Sequence, residues 1–363
     1  MVDRTPQYAP SLGGKLAVLA ELDRADRTAT LSQAIKKVLA CPYNLVPDLL
    51  QRLEAEDVRT AQKAAIALGY LGSPQAVMPL VAVVRAGKTH LYWQATMALS
   101  RIGGAEVVDY LVEFLGSESV VLQSASAKAL GRCGLAGLQP LVDCLRCPST
   151  DVQVRFQAIH ALGEIGSPVA VSALLPELRH PSRHIRSQAG WALGRIRSPL
   201  ASGALAACLT DPDISVQASA VQALKAIGTA ALPPLLSMLK HPASHTRSTA
   251  LRTLAQMGLE EVVEDIAEVL FNDPFPYVRC DAAQALGEIG SPLAVHYLGQ
   301  AVKASDRSVR TAVIRALRKL KSPPAIQILR RIDPQWAEQE TTILQHLAQF
   351  RIREEDYTVI QEG

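Results

Sequence analysis

Aromatic residues are scarce in this 363-residue sequence, at 4%: five Phe, eight Tyr and three Trp. A β-sandwich or barrel fills its pleated faces with aromatic and β-branched side chains. A chain whose apolar content is mostly Ala, Leu and Val suits close-packed helices instead. An excess of one charge is also missing. With 37 Lys and Arg against 34 Asp and Glu, the net charge is +3 and the isoelectric point about 8.5. A nucleic-acid-binding domain runs above roughly 9, with its bases clustered, so no nucleic-acid partner is expected. No apolar run approaches the roughly 18 residues that cross a bilayer, which predicts no membrane span. Met1–Pro10 contains Asp3 and Arg4 and lacks the apolar stretch of a secretory signal. Six cysteines scattered along a chain without that signal point to reduced thiols and a cytoplasmic location. Also absent are a Gly-rich phosphate loop, a nucleophile elbow and a second cysteine pair at zinc spacing. The expectation is therefore no metal, no permanently bound cofactor and no nucleophile of the chain's own.

What is present is a rhythm. Ala67-Leu-Gly-Tyr-Leu-Gly72 returns as Ala-Leu-Gly-Glu-Ile-Gly at 161–166 and again at 285–290, with looser copies ending at 103, 134, 197, 228, 258 and 321. Successive copies end 30 to 32 residues apart. One step back from Gly72 lies the degenerate copy Ile35–Ala40, and one step on from Lys321 a frayed copy ends at Ile352. Each copy reads as two helices. Ser-Pro at 73, 167, 198, 291 and 322 opens the first, with Ser as its cap and Pro at its first position. Val77, Leu80, Val81 and Val84, or Ala170, Leu174, Leu175 and Leu178, keep helical spacing along it. Pro181, Pro212, Pro242 and Pro274 end the first helix sixteen residues before the repeat closes. The second helix carries the Ala-Leu phrase and stops at a left-handed glycine. Helix pairs this short cannot bury their apolar faces alone, so neighbours must stack. The pattern predicts an all-α fold, an α-solenoid of about ten two-helix repeats of ~31 residues. Residues 1–30 form an N-terminal cap, with a short helix over Leu12–Leu22. Residues 31–352 form one repeat domain, and 353–363 a polar tail bearing Glu354, Glu355 and Asp356.

The segment Val278-Arg279-x-x-Ala282-Ala283-x-Ala285-Leu286-Gly287-x-Ile289-Gly290 resembles the short HEAT-like repeat of the phycobilisome bilin lyases. Arg155, Arg186, Arg247, Arg279 and Arg310 all stand eleven residues before a repeat end, where that repeat places its arginine. Gln123 and Gln217 fill the slot in two other copies. The resemblance runs from about residue 31 to 352. It implies a protein that helps attach, move or remove an open-chain tetrapyrrole on a phycobiliprotein cysteine, with the bilin bound transiently. The implied partners are a phycobiliprotein subunit or a second HEAT-repeat lyase subunit. No family-specific catalytic motif can be carried over. The arginines themselves read as a structural ladder that bonds neighbouring loops, or an acid such as Asp151 or Asp306.

In a solenoid the open positions of the second helices form the concave wall. With Val278, Ala282, Ala285, Leu286 and Ile289 as core, those positions lie ten, six and two residues before each repeat end. Trp93, Phe156, His160 and Trp191 fall on this stripe near Arg101, Lys128, Arg132 and Arg195. Trp and Arg at open positions mark binding hot spots, and Arg suits carboxylates, whether acidic side chains or bilin propionates. Rings that pack between adjacent helices are the structural alternative. Glu164, one turn from His160, gives the stripe its one candidate acid–base pair. Cys144-x-x-Cys147 is better explained by turn chemistry, since Cys147-Pro148 stands where other copies read His-Pro or Asp-Pro. His180 with His184, and His241 with His245, straddle those turns and read as helix-end histidines favoured by the dipole. Three readings follow: a chaperone-type bilin lyase, a protein-binding scaffold without chemistry, and a groove for DNA, which the low net charge disfavours.

Overall fold

The computed structural model describes residues 12–25, 28–304, 306–332 and 334. Among these residues there are helices and turns and no strand. The chain gathers into two compact units, residues 1–198 and 199–363. Each is an α-solenoid in which a layer of first helices backs a layer of second helices. The second helices are α1 (Thr28–Ala40), α2 (Val58–Leu71), α3 (Tyr92–Ile102), α4 (Val120–Arg132), α5 (Val152–Ile165) and α6 (Arg183–Ile196) in the first unit. In the second unit they are α7 (Ile214–Ile227), α8 (Ser244–Met257), α9 (Pro276–Ile289) and α10 (Arg307–Leu320). Successive second helices pack side by side within each unit. The N-terminal helix spans Leu12–Arg24. The polar tail at 353–363 and the copy closing at Ile352 lie outside the described residues.

The repeat phrase builds the core as its spacing predicts. Val278, Ala282, Ala285 and Leu286 are buried on α9 and Ile289, at its last position, is half-buried; Val77, Leu80, Val81 and Val84 are buried on the first helix Val77–Arg85. The Ser-Pro starts are more varied than a capping rule allows. Ser291 and Ser322 do cap, their Oγ accepting from Ala294 N at 3.2 Å and Ala325 N at 3.4 Å. At Ser73 and Ser167 the chain enters through a 3₁₀ turn instead. There the backbone carbonyls take the bonds, from Ala76 N at 3.0 Å and Ala170 N at 3.1 Å, and no side chain is needed. The closing residue is left-handed whether or not it is glycine. Gly166 has φ 70°, while Arg197 and Lys321 hold the same slot at φ 56° and 50°.

Four of the five recurring arginines make hydrogen bonds within the fold, with partners the sequence only partly predicts. In α6, α8 and α9, Arg186, Arg247 and Arg279 donate to the carbonyl six residues back, at the end of the first helix: His180 O at 3.0 Å, His241 O at 2.8 Å and Asp273 O at 2.7 Å. Gln123 and Gln217 make the same bond to Ser117 O and Asp211 O at 2.6 and 2.7 Å, so the slot requires a long donor rather than a charge. Arg155 reaches Leu145 O and Cys147 O at 3.0 and 2.9 Å. Three arginines then reach an acid of the following repeat. Arg155 pairs with Glu177, Arg247 with both oxygens of Asp273 at 2.6 and 2.9 Å, and Arg279 with Asp306 at 3.9 Å. The predicted partner Asp151 is otherwise engaged, because it caps α5 by accepting from Gln153 N at 2.7 Å. Arg310 is exposed.

The X-Pro turns between paired helices share a device. The residue before Pro accepts from the N–H two residues on. Asp211 Oδ1 and Asp273 Oδ1 do so at 2.9 Å, and His180 Nδ1 and His241 Nδ1 at 3.0 and 3.1 Å. These histidines thus imitate an aspartate, which fixes the ring proton on Nε2. That role replaces the helix-dipole reading. Cys147 holds the same slot. Hydrogen bonds from the Ser149 side chain and N–H favour its thiolate and hold its pKa below the usual thiol value. Burial pushes the Cys144 thiol up. No cluster among the described residues could hold a metal ion.

Candidate functional site

Along the second-helix layer of the first unit, the predicted stripe assembles into contacts that join one repeat to the next. The Arg101 guanidinium lies over the Tyr70 ring, 4.3 Å from its centroid. Lys128 Nζ sits 5.6 Å from the Trp93 centroid. The His160 and Trp191 rings stack at 4.8 Å with 18° between their planes. Arg195 approaches the Glu164 carboxylate at 3.8 Å. Phe156 is half-buried on α5 and Arg132 exposed on α4.

The rings do not simply project into solvent. Trp93, Phe156, His160 and Trp191 are all half-buried. Trp191 lies across α5 at Gly163, where an added Cβ would fall 2.7 Å from Trp191 Cζ3 and 2.9 Å from Ala192 Cα. Gly131 repeats this approach against Ala161, with the corresponding distances to Cβ and Cα at 2.6 and 2.9 Å. Glycine at this position lets adjacent second helices close up and leaves room for the indole. Packing between helices and display on a surface are therefore both satisfied by one ring.

The candidate acid–base pair does not form. His160 turns to the indole of Trp191 and Glu164 to the guanidinium of Arg195, one repeat further on. The resulting ion pair is exposed, each side chain retaining at least half of its accessible surface. Such pairs contribute roughly 0–1 kcal/mol. The stripe is thus a ladder of flat rings and cations, with a single acid attached to it.

A cleft of about 520 Å³ opens at the N-terminal end of the stripe. Thr28, Leu31, Ser32, Ile35, Lys36 and Leu39 of α1 form one wall. Ile66 and Tyr70 of α2, with Trp93, Gln94, Met97 and Arg101 of α3, form the other. The stripe positions predict the second wall apart from Gln94. The first was missed because α1 carries a degenerate repeat phrase. The signal was nonetheless there: Leu31, Ile35 and Leu39 recur every four residues, as an apolar helix face does.

The second unit presents a different face. Its stripe reads Ala218, Gln222 and Ala226, then Ser248, Arg252 and Gln256, then Cys280, Gln284 and Glu288, then Thr311, Arg315 and Lys319. Among the described residues no ring stands on it. Its exposed aromatics, Phe271, Phe275 and Tyr277, lie at the end of the Val263–Asn272 helix, in the following turn and at the start of α9.

Among known families, the one described as HEAT repeats matches residues 46–131, 138–225, 202–270 and 263–347. The chain is 28% identical over 174 residues to the uncharacterized phycocyanin operon protein Z of Pseudanabaena tenuis (strain PCC 7409), covering 45% of this chain and 85% of that one. Among solved structures, importin beta matches 89% of this chain with 51% of its own, at 13% identity and a TM-score of 0.52. That likeness is one of fold alone, and the chain spans about half the importin. The complex of CpcE and CpcF of phycocyanin lyase from Nostoc sp. PCC7120 is 24% identical over 64% of this chain and 96% of that one, with a TM-score of 0.34. No helix among the described residues is long and apolar enough to cross a membrane.

Proposed function

We propose that this chain, which belongs to the HEAT-repeat family, holds an open-chain tetrapyrrole against a phycobiliprotein subunit along the second-helix face of its first unit. The observation that carries this reading is the ladder Tyr70–Arg101, Trp93–Lys128 and His160–Trp191. A conjugated tetrapyrrole offers flat surface to the rings and propionates to the cations, and a guanidinium can take a carboxylate through two parallel N–H bonds. Similarity to the phycocyanin operon protein supports the same direction.

The chemistry asks little of the protein's own groups. A substrate cysteine adds across a C=C bond of the chromophore: the S–C bond forms, the thiol proton ends on the neighbouring carbon, and nothing leaves. A surface that fixes both reactants accelerates such an addition through orientation, for which effective molarities reach ~10⁵ M or more. In this reading Trp93, Phe156, His160 and Trp191 set the plane of the chromophore. Arg101, Lys128, Arg132 and Arg195 meet its propionates or acidic side chains of the subunit. The bilin is a passing ligand and not a resident cofactor.

Titration of the full chain with phycocyanobilin, followed by absorbance, tests the proposal. Binding is expected to shift and sharpen the long-wavelength band, and Trp191→Ala or Arg132→Ala to abolish the shift while helicity by circular dichroism stays intact. An unchanged spectrum with wild-type protein would leave the second reading, a protein-binding scaffold without chemistry.

A further inference from the structure

The cleft between α1 and the α2–α3 pair has three properties that together describe an occupant. Its lining is apolar at Leu31, Ile35, Ile66 and Met97, with two rings, Tyr70 and Trp93. Two cations, Lys36 and Arg101, stand on it, none of the lining residues is acidic, and neither cation has a carboxylate partner among the described residues. The third property is a buried acceptor without a donor. The side-chain oxygen of Gln94 is shielded from solvent and receives no hydrogen bond. A buried oxygen without a donor is costly, and the half-buried Gln94 side chain can turn it into the cleft, where a ligand N–H would satisfy it.

The cleft is also long. Its α1 wall runs from Thr28 to Leu39, about 16 Å at ~1.5 Å per residue. At its far end it continues into the stripe through Trp93, whose ring also carries Lys128. A channel of this length, open onto a basic surface, fits a polymer chain better than a compact molecule.

We propose that this cleft docks an acidic peptide segment of a partner protein. A large apolar side chain of the segment seats between Ile35, Ile66 and Met97. A neighbouring carboxylate lies at Lys36 and Arg101, and a backbone N–H donates to the Gln94 oxygen once that side chain turns into the cleft. The proposal shares Trp93 and Arg101 with the tetrapyrrole face but does not depend on it, since Lys36 and Gln94 lie off the ring–cation ladder.

The test is selection of a random twelve-residue peptide library, displayed on phage, against the full chain. Enriched peptides are then resynthesised with a fluorophore and measured by fluorescence anisotropy. Enriched sequences are expected to pair Asp or Glu with a Leu, Ile, Met or aromatic residue. Their affinity should fall about tenfold on the surface charge reversal Lys36→Glu and by a similar factor on Gln94→Leu. Lys225→Glu, in the second unit, should leave it unchanged. Circular dichroism of each variant separates lost binding from lost fold, and the phycocyanobilin titration should be the same for Lys36→Glu as for wild type. The idea is overturned if the enriched peptides carry no acid, or bind Lys36→Glu and Gln94→Leu as well as wild type. It is equally overturned if no peptide is enriched while anilinonaphthalene sulfonate binds, which would assign the cleft to small aromatic anions.

Discussion

Helix α5 in the first unit buries Val154, Ala158, Ala161 and Leu162, and helix α7 in the second buries Val216, Ala220, Ala223 and Leu224 at the same repeat positions. Their buried halves are nearly interchangeable. Their open halves are not: α5 shows Phe156, His160 and Glu164 where α7 shows Ala218, Gln222 and Ala226. At the close-approach position α5 has Gly163 and α7 has Lys225, which is exposed. Consistently, α7 packs less closely against its neighbour α8 than α8 does against α9. Stacking constrains one side of every second helix, whatever the unit, and leaves the other free to diverge. A repeat protein's function is therefore sought where copies differ.

The comparison can first be pressed where the units ought to agree. The Arg155–Glu177 and Arg247–Asp273 pairs pin successive repeats in the two units, and all four side chains retain 9% or less of their exposure. Replacing either arginine by Ala strands a buried carboxylate, and each change should lower unfolding free energy by about 3–5 kcal/mol in urea titrations. A loss in one unit only would show that the ladder is not a common device.

The next changes should set the units apart. Gly163→Ala drives a methyl into Trp191 and the Ala192 backbone, and overpacking of this kind costs roughly 1–3 kcal/mol. Lys225→Ala, in the equivalent slot, should stay within about 0.5 kcal/mol by the same urea titration. Trp191→Ala and Gln222→Ala also occupy one repeat position. The first should remove phycocyanobilin binding and the second leave it intact, as read by absorbance.

Smaller effects concern single groups. Burial raises the Asp273 pKa, but hydrogen bonds from Arg247 and the Phe275 N–H, with the nearby positive charges, outweigh it and hold the value below the usual 3.8. A group whose folded pKa is depressed contributes stability above its unfolded value, and that contribution is lost as pH falls through the folded one. Asp273→Asn should therefore flatten the fall in stability below about pH 4, seen in urea midpoints across that range. A left-handed residue with a side chain is disfavoured by roughly 1–2 kcal/mol, so Arg197→Gly should raise the thermal midpoint slightly. No rise would mean that the Arg197 side chain makes up the difference.

Much of the fold was legible because periodicity is a one-dimensional record of packing. Repeat ends spaced by 30 to 32 residues, Ala and Leu at the buried positions and Pro between paired helices together fix the elements and their order. The stripe followed from the same frame, so Trp93, Phe156, His160 and Trp191 could be placed on it without coordinates, though not the half-burial they share. Other features depend on partners far along the chain. Glu164 sits one turn from His160 in sequence, yet Arg195 from the next helix claims it. Asp151 was the nearest acid to Arg155, yet its carboxylate is used for capping and Glu177 lies closer in space. Leu31, Ile35 and Leu39 carry an apolar period, but only the positions of α2 and α3 make that face a cleft wall.

The amino-acid order alone determined that this chain stacks helix pairs and which face of each stays open, because burial at a helical period is set residue by residue. The folded molecule decided which side chain meets which across neighbouring repeats, and where Gln94 keeps an acceptor unfilled. Those outcomes depend on distances of a few ångströms between segments about 30 residues apart, and no local pattern encodes them.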